Sequence, residues 1–157
     1  MEFVENSLEG SIETFLNRPL FCFLGTVDDG EPRISPVWFL QEEGAIWIIA
    51  DDRKSYPDRI RPTSATTVAI VDFERTTGRV EHVGMRGEGE VRPMEPGRAR
   101  RLLRRYLGPD PEEWDRSRFP DPQTWGEEMV MIRIEPATVV ARDQSYAPAP
   151  AVTGTEE

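Results

Sequence analysis

Short apolar segments separated by tight turn signals are the feature that most constrains how this chain can fold. Six such segments follow Pro19, at 20–27, 32–40, 45–50, 66–73, 80–91 and 129–140. The turns that join the first three segments are too short for the crossover helices that parallel strands require, so these three predict an antiparallel meander. The six together predict a mainly β protein, a small closed or nearly closed antiparallel barrel with flanking helices.

Helical periodicity appears in three places. Before the first strand, an apolar stripe that Asn6 or Ser7 would cap consists of Leu8, Ile12, Phe15 and Leu16. A short helix is predicted at 56–61, and a longer one runs from Pro96 to the stop at Gly108. The longer helix carries five arginines on its other face, at 98, 100, 101, 104 and 105. This pattern is compatible with a solvated face and with an anion-binding face.

The length and charge of the chain exclude several classes of protein. A chain of 157 residues predicts one domain, assigned to 1–146, followed by a mobile tail at 147–157. Its net charge of -10 repels phosphate backbones and anionic lipid, so we expect neither a nucleic-acid partner nor a membrane partner. Because no apolar run approaches a membrane span and no signal peptide is recognisable, we expect a soluble cytoplasmic protein.

Reactive residue types are scarce. Cys22 is the only cysteine and His82 the only histidine, which excludes an intrachain disulfide and His-His metal motifs. We expect Cys22 to be a small core residue and His82 to be a structural histidine within a strand. The sequence has no phosphate-binding glycine loop and no Gly-x-Ser-x-Gly turn, and we predict no metal site.

The segment after the third strand is the most informative for function. Arg53 and Lys54 are followed by Ser55, and Lys54 is the only lysine among nineteen basic residues. A planar guanidinium, a compact ammonium ion and a hydroxyl group suit a phosphomonoester. An ordinary solvated turn is the alternative interpretation of this segment.

The second segment of interest is the strand predicted at 32–40. Pro36 interrupts its hydrogen-bonding ladder, which favours an edge strand, and Ser35 and Trp38 flank the proline. An interrupted strand of this kind can present backbone groups and an aromatic ring to a planar ligand. An ordinary edge strand is again the alternative.

These two segments together carry a resemblance to a known family. Ser-Pro-Val-Trp-Phe at 35–39, followed by Arg-Lys at 53–54, resembles the pyridoxamine 5'-phosphate oxidase-like superfamily, which has the FMN-binding split β-barrel fold. The resemblance covers about 11–143, with weaker similarities at 46–48, 68–71, 88–91, 105–108 and 132–136. It implies six antiparallel strands in a split barrel, and a homodimer with the cofactor in the cleft between subunits.

The resemblance also implies where a cofactor would bind. Arg53 and Lys54 match the pair that holds the flavin phosphate, next to Ser55. The residues that match the strand lining the isoalloxazine ring and ribityl chain are Ser35, Pro36, Val37 and Trp38. Ala50 and Asp51 match the strand end beneath the cofactor.

Departures from the family pattern shape the functional prediction. The Arg-Leu-x-Pro motif of true pyridoxamine 5'-phosphate oxidases is absent, so oxidation of that substrate is not expected. The sequence at 35–39 is more similar to a branch that includes deazaflavin-dependent reductases. We predict an FMN-binding oxidoreductase that passes hydride between the flavin and an unknown flat small molecule. The alternatives are a reductase that uses the 8-hydroxy-5-deazaflavin coenzyme, a flavin-binding protein without turnover, and a structural module whose cleft is closed.

Two further groups of residues bear on the cofactor and the dimer. A deazaflavin coenzyme has a longer anionic tail than FMN, and Arg59 and Arg61 are candidates to hold it, unless they pair with carboxylates. The acidic segment 109–128 contains Trp114, Phe119 and Trp125. We expect a dimer interface to cover these aromatic residues.

Overall fold

The computed structural model describes residues 1–151. The strands are β1 (Glu2–Asn6), β2 (Cys22–Asp28), β3 (Glu31–Val37), β4 (Leu40–Glu42), β5 (Ala45–Asp51), β6 (Ala65–Glu74), β7 (Arg79–Pro93) and β8 (Met129–Asp143). The α-helices are α1 (Ile12–Leu16), α2 (Ser55–Ile60) and α3 (Pro96–Leu107). Two short 3-10 helices, Pro111–Glu113 and Pro122–Thr124, lie between α3 and β8.

All eight strands belong to one sheet that curls into an incomplete barrel. The strand order is β3-β2-β6-β7-β8-β5-β4, and β1 pairs in parallel with β8. The pairs along that order are antiparallel. β3 and β4 lie at opposite ends of the order, although only Trp38 and Phe39 separate them in the chain. The two edges of the sheet therefore come together at these two residues, where the barrel is split.

The predicted mainly β split-barrel fold is confirmed, with eight strands rather than six. The predicted meander is wrong, because the segment 32–40 breaks at Trp38 into β3 and β4. β3 pairs with β2, whereas β5 pairs with β4 and β8. Pro36 lacks a backbone N–H, which is tolerated because β3 is an edge strand.

The N-terminal segment also differs from the prediction. β1 has five exposed residues without alternating apolar positions, so sequence periodicity gives no sign of it. Ser11, not Asn6 or Ser7, caps α1, and its side-chain oxygen accepts the Thr14 backbone N–H at 3.1 Å. Leu8 therefore precedes the helix, although it still packs against the core.

Two hydrophobic clusters stabilise the fold. The larger fills the barrel, where inward-facing positions alternate along the strands and include Cys22, Leu24, Val68 and Ile70. The smaller lies between α3 and the outer face of β5 and comprises Leu40, Ala45, Trp47, Leu102 and Met131. Because α3 covers this half of the sheet, β5 is buried on both faces along most of its length.

The C-terminal segment follows β8. The Tyr146 N–H donates to the Gly78 carbonyl at 2.9 Å, and residues 147–151 are exposed without regular secondary structure. The rest of the predicted mobile tail, 152–157, lies outside the described residues. Across 1–151, no helix is long and apolar enough to cross a membrane.

Candidate active site

A cavity of about 540 Å³ opens beside the split between β3 and β4. Its strand side is formed by Pro36, Val37 and Trp38, and its opposite wall by residues of the segment 109–128. α3 closes a third side with Leu102 and Leu103. Three of the predicted cofactor-binding residues thus line one apolar cleft.

Trp38 is held in this cleft by aromatic stacking. Its ring lies 4.6 Å from the ring of Tyr106 on α3, at an interplanar angle of 3°. The Tyr106 hydroxyl donates to the Leu20 carbonyl at 2.8 Å and accepts the Phe39 N–H at 3.0 Å, which fixes the junction that follows Trp38. Phe119 stacks on Trp38 as well, with ring centroids 5.9 Å apart. The cleft therefore presents ordered flat rings, the surface that a planar ligand requires.

The segment 109–128 forms the outer wall and is fixed to the body of the protein. The indole N–H of buried Trp114 donates to the Gly108 carbonyl at 3.0 Å. Arg100 on α3 pairs with Asp121 at 2.9 Å. The expectation that a partner covers Trp114 is wrong, because Trp114 is only 7% exposed within a single chain.

The basic turn after β5 lies beside the cleft. Asp51 accepts two hydrogen bonds from the Arg53 guanidinium, at 2.9 and 2.6 Å, and one from its backbone N–H. These hydrogen bonds lower the pKa of Asp51 to about 2 and raise that of Arg53. The Asp52 N–H donates to the carbonyl of Glu128, a residue that lines the cavity, at 2.6 Å. The turn is thereby tied to the cleft wall.

Lys54 is the cation of this turn with no ion pair in the range 1–151. It is the N-cap residue of α2, and its side chain makes no capping hydrogen bond. Arg53 keeps its charge but is paired with Asp51, whereas Lys54 has no such partner among the described residues. The ammonium group of Lys54 is therefore the charge most available to an incoming anion.

The other predicted residues around α2 are already engaged. Arg59 donates to the Ser55 hydroxyl at 3.0 Å, and its Nε is buried with no hydrogen-bond partner among the described residues. Arg61 pairs with Asp52 at 2.6 Å and with Asp58 at 3.1 Å. The alternative interpretation, that these arginines pair with carboxylates, therefore describes Arg61, and it also describes Arg59, whose Nε lies 4.0 Å from a carboxylate oxygen of Asp28.

Of the eleven predicted cofactor-binding residues, eight do not line the cavity. Six of them lie in the basic turn and α2 or directly beside them, and the other two are Ser35 and Ala50. Ser35 is half-buried on β3, paired with Leu24 in β2. The Ala50 side chain points into the barrel core and is 1% exposed. Ala50 can therefore meet a ligand only through its backbone.

Several cavity residues have no signature in the sequence. They are Phe21, Ile49, Tyr56, Leu102, Leu103, Arg118, Glu128 and Met129. The aromatic residues of the polar segment 109–128 were a usable signal, since Phe119 and Trp125 line the cleft. Arg118 and Glu128 look in the sequence like two of many surface charges.

Four of the five arginines on the arginine face of α3 are held by ion pairs or hydrogen bonds, and Arg104 has no ion pair among the described residues. Arg98 is 5% exposed, lies 3.6 Å above the Trp47 ring and pairs with Glu42 at 2.9 Å. Arg101 pairs with the same Glu42 at 2.6 Å. Arg105 donates to two backbone carbonyls, those of Leu16 and Arg18. These contacts leave little of the face for an anion.

The isolated cysteine and histidine lie outside the cleft. Cys22 is buried in the barrel core, and burial raises the pKa of its thiol to about 12. His82 lies on β7, paired with Arg142 on β8. The expectation that Cys22 is a core residue is confirmed.

An incomplete barrel with an aromatic cleft at its split and a basic turn beside that cleft defines the split β-barrel class. Within this class, the sequence matches the pyridoxamine 5'-phosphate oxidase family over residues 8–141, and the chain belongs to that family. No curated protein matches the sequence.

Solved structures share the fold at low sequence identity. An F420 reductase is 24% identical with a TM-score of 0.63, over 84% of this chain and 98% of that chain. The conserved hypothetical protein Rv2991 from Mycobacterium tuberculosis is 20% identical with a TM-score of 0.72, over 98% and 99%. A FAD-binding protein from Mesorhizobium loti is 16% identical with a TM-score of 0.61, over 87% and 96%.

Proposed function

We propose that this protein is a homodimeric oxidoreductase that binds FMN and passes hydride between the flavin and a flat small molecule. The observation that carries the proposal is the convergence of an aromatic cleft with a basic turn. Pro36, Val37 and Trp38 line the cleft, and the turn that contains Arg53 and Lys54 is hydrogen-bonded to its wall. Membership of the pyridoxamine 5'-phosphate oxidase family supports the same function.

The donor set beside α2 fits a phosphomonoester. Lys54 offers an ammonium ion with no ion pair among the described residues, and Arg53 offers a guanidinium whose side chain is 75% exposed. A compact dianion would satisfy such donors, and charge-assisted hydrogen bonds to phosphate are among the strongest in proteins.

In the reaction, the protein would position the cofactor and the flat molecule and would exclude water from the cleft. A bound flavin would supply the hydride-transfer chemistry through its ring. Trp38, ordered by its stacks on Tyr106 and Phe119, gives the cleft a fixed aromatic wall against which a flat molecule can lie. Leu102, Leu103 and Met129 make the cleft apolar, which keeps water away from reacting rings.

The deazaflavin coenzyme is the second candidate cofactor. An F420 reductase is among the proteins of similar fold. The longer anionic tail of that coenzyme needs cations beyond Lys54, but Arg61 is paired with two aspartates and Arg59 is tied to Ser55. This engagement ranks FMN first.

The outer face of β2, β3, β6 and β7 supports the homodimer. Gly25, Ala69 and Gly84 leave a shallow groove there, bordered by the exposed side chains of Phe23 and Ile34. Among the described residues that line the groove there is no acidic side chain, although the chain has a net charge of -10. Its two arginines are Arg86 and Arg142, and Arg142 pairs with Glu5 at 2.9 Å. We infer that a second copy of the chain covers this face, since two such surfaces can pack together without repulsion between carboxylates.

Titration with FMN, followed by quenching of flavin fluorescence, tests the proposal. Lys54→Ala and Arg53→Ala should each weaken binding by about 10- to 150-fold, because each removes a charge-assisted contact of about 1.5–3 kcal/mol. Arg75→Ala is the matched control, since Arg75 is exposed in the β6–β7 turn with no ion pair among the described residues. Wild-type affinity weaker than about 100 micromolar, or about -5.5 kcal/mol, would end the FMN proposal.

A second measurement separates turnover from storage. The reduced, flavin-loaded protein is mixed with a naphthoquinone acceptor under nitrogen, and its reoxidation is compared with that by oxygen alone. An oxidoreductase should be reoxidised faster by the flat acceptor than by oxygen. Equal rates would favour a flavin-binding protein without turnover.

A further inference from the structure

We propose that the end of the cleft beside the segment 109–128 binds a flat aromatic molecule that carries a carboxylate, and that the guanidinium of Arg118 recognises this carboxylate. The inference rests on the proposed function, because it names the substrate class for the same cleft. It assigns Arg118 as a specificity-determining residue.

Arg118 is set among the aromatic rings of the cleft. It lines the cavity next to Phe119, and its guanidinium carbon lies 5.8 Å from the centre of the Phe119 ring. Phe119 stacks on Trp38 with ring centroids 5.9 Å apart, which leaves no room for a third ring between them. A flat ligand in the cavity would therefore lie against this aromatic pair, which lines the cavity together with Arg118. A stacking surface next to a planar cation fits an aromatic carboxylate, since both parts of such a ligand are flat.

Arg118 has no ion pair among the described residues, unlike the arginines around it. Arg116 pairs with Glu112 at 2.6 Å, and Arg100 pairs with Asp121 at 2.9 Å. Two acidic residues, Asp115 and Asp121, lie three positions from Arg118 in the sequence. The Asp115 carboxylate accepts the Ser117 hydroxyl at 2.6 Å and the Ser117 N–H at 3.1 Å, and the charge of Arg118 helps to lower its pKa without an ion pair between the two side chains. In a chain with 29 acidic residues, an arginine left unpaired at an apolar cleft is an available anion receptor.

The remaining charge in the cleft orients such a ligand. Of the described residues that line the cavity, the other ionisable ones are Tyr56 and Glu128. The Tyr56 hydroxyl is engaged with the Ile49 carbonyl at 3.3 Å. Glu128 is bonded through its backbone to the turn at Asp52. A carboxylate is therefore attracted by Arg118 and repelled by Glu128, which directs the acidic group of a ligand toward Arg118 and away from Glu128 within the same wall.

Binding of a matched pair of probes tests this assignment without any cofactor. 2-Naphthoate and 2-naphthamide have the same ring and nearly the same shape, and only the first is anionic at pH 7. Isothermal titration calorimetry of the wild-type protein should give at least about tenfold tighter binding of the naphthoate, the effect of one charge-assisted contact. Arg118→Gln should bind both probes equally, at the affinity of the naphthamide.

The control variant is Arg104→Gln, because Arg104 is exposed on α3, has no ion pair among the described residues and does not line the cavity. It should keep the wild-type preference for naphthoate. Equal affinity of the wild type for both probes, no binding of either, or loss of the preference in Arg104→Gln as well would overturn the assignment.

FMN titration of the same proteins keeps the two proposals separate. Arg118→Gln should bind FMN as the wild type does, because the phosphate donors lie at the turn around Lys54. If the wild type prefers naphthoate but does not bind FMN, the proposed cofactor is wrong, whereas the assignment of Arg118 as the carboxylate-binding residue remains valid. Raising the salt concentration should weaken binding of the naphthoate and leave that of the naphthamide unchanged.

Discussion

The two halves of the curled sheet differ in what covers their outer faces. The outer face of β5 is covered by α3 and by the segment 109–128. The large outward-facing Trp47 on this strand is only 3% exposed. Over β2, β3, β6 and β7, no described residue supplies such a layer, and Ile34 is 70% exposed. Both outer faces carry apolar side chains, so the difference lies in the covering and not in the strands.

This difference gives the two faces different roles. The covered half contains a cleft between the sheet and its covering layer. The stacked rings of Trp38 and Phe119 line this cleft. The bare half has a groove of small residues that its own chain does not fill. We infer that the chain completes one face by itself for ligand binding and leaves the other for its second copy.

The largest expected effect comes from a charge on the bare face. Ala69 lies between Phe23 and Gly84 in register across three strands, near the middle of the groove. Ala69→Arg should convert the protein from about twice 17.9 kDa to a monomer in light scattering at micromolar concentration. The reason is that a dimer would bury an unpaired guanidinium in each copy.

Thr77→Arg is the matched control for this test. Thr77 is exposed in the β6–β7 turn, outside the groove, and receives the same side chain. This variant should remain a dimer. A wild-type protein that is monomeric at the same concentration would refute the dimer, and a dimeric Ala69→Arg would place the interface on another surface.

The next effect concerns the covered half. Leu102 is 1% exposed on α3, where it belongs to the cluster around Trp47 and also lines the cleft. Leu102→Ala should lower the free energy of unfolding by roughly 2–5 kcal/mol, because it leaves a cavity in a packed cluster. Urea unfolding at one fixed protein concentration measures the change, since assembly also contributes to stability.

Arg104→Ala supplies the comparison on the exposed side of the same helix, where a change within about 0.5 kcal/mol is expected. Leu102→Ala should keep the oligomeric state of the wild type. If it changed the mass in light scattering, the two faces would not be independent.

Elements that depend on local sequence could be predicted, whereas those that depend on contacts between remote parts of the chain could not. β2, β5 and β6 have apolar segments bounded by turn residues, and their positions were predictable to within a few residues. The break at Trp38 was not, because it depends on pairing of β3 and β4 with strands remote from one another in the sheet. β1 was missed because its exposed residues carry no periodic signal.

The candidate site divides in the same way. Pro36, Val37 and Trp38 were found because they are consecutive and resemble a family motif. Leu102 and Arg118 were not, because folding alone brings their segments to the cleft. Ala50 shows that resemblance can also assign a residue whose side chain does not reach the site, because this side chain lies in the barrel core.

A smaller effect is expected from the carboxylate of the cleft wall. Glu128 lines the cavity and is bonded through its backbone to the basic turn. Glu128→Gln should tighten FMN binding by about two- to fivefold, because it removes a like charge near the phosphate in a setting screened by water. The control is Glu127→Gln, an exposed neighbour that does not line the cavity. Weaker FMN binding in Glu128→Gln would mean that the carboxylate contacts the cofactor favourably.

The smallest expected effect is at Cys22, which lies inside the barrel, away from both outer faces. Burial raises the pKa of its thiol to about 12, whereas an unfolded cysteine ionises near 8.5. The folded protein should therefore hold almost no thiolate at pH 8 and react with Ellman's reagent only as fast as it unfolds, while protein in urea should react at once. The rate should be the same in the wild type and in Ala69→Arg, because Cys22 is fully buried within a single chain. A fast reaction confined to Ala69→Arg would show that the second copy also protects the interior.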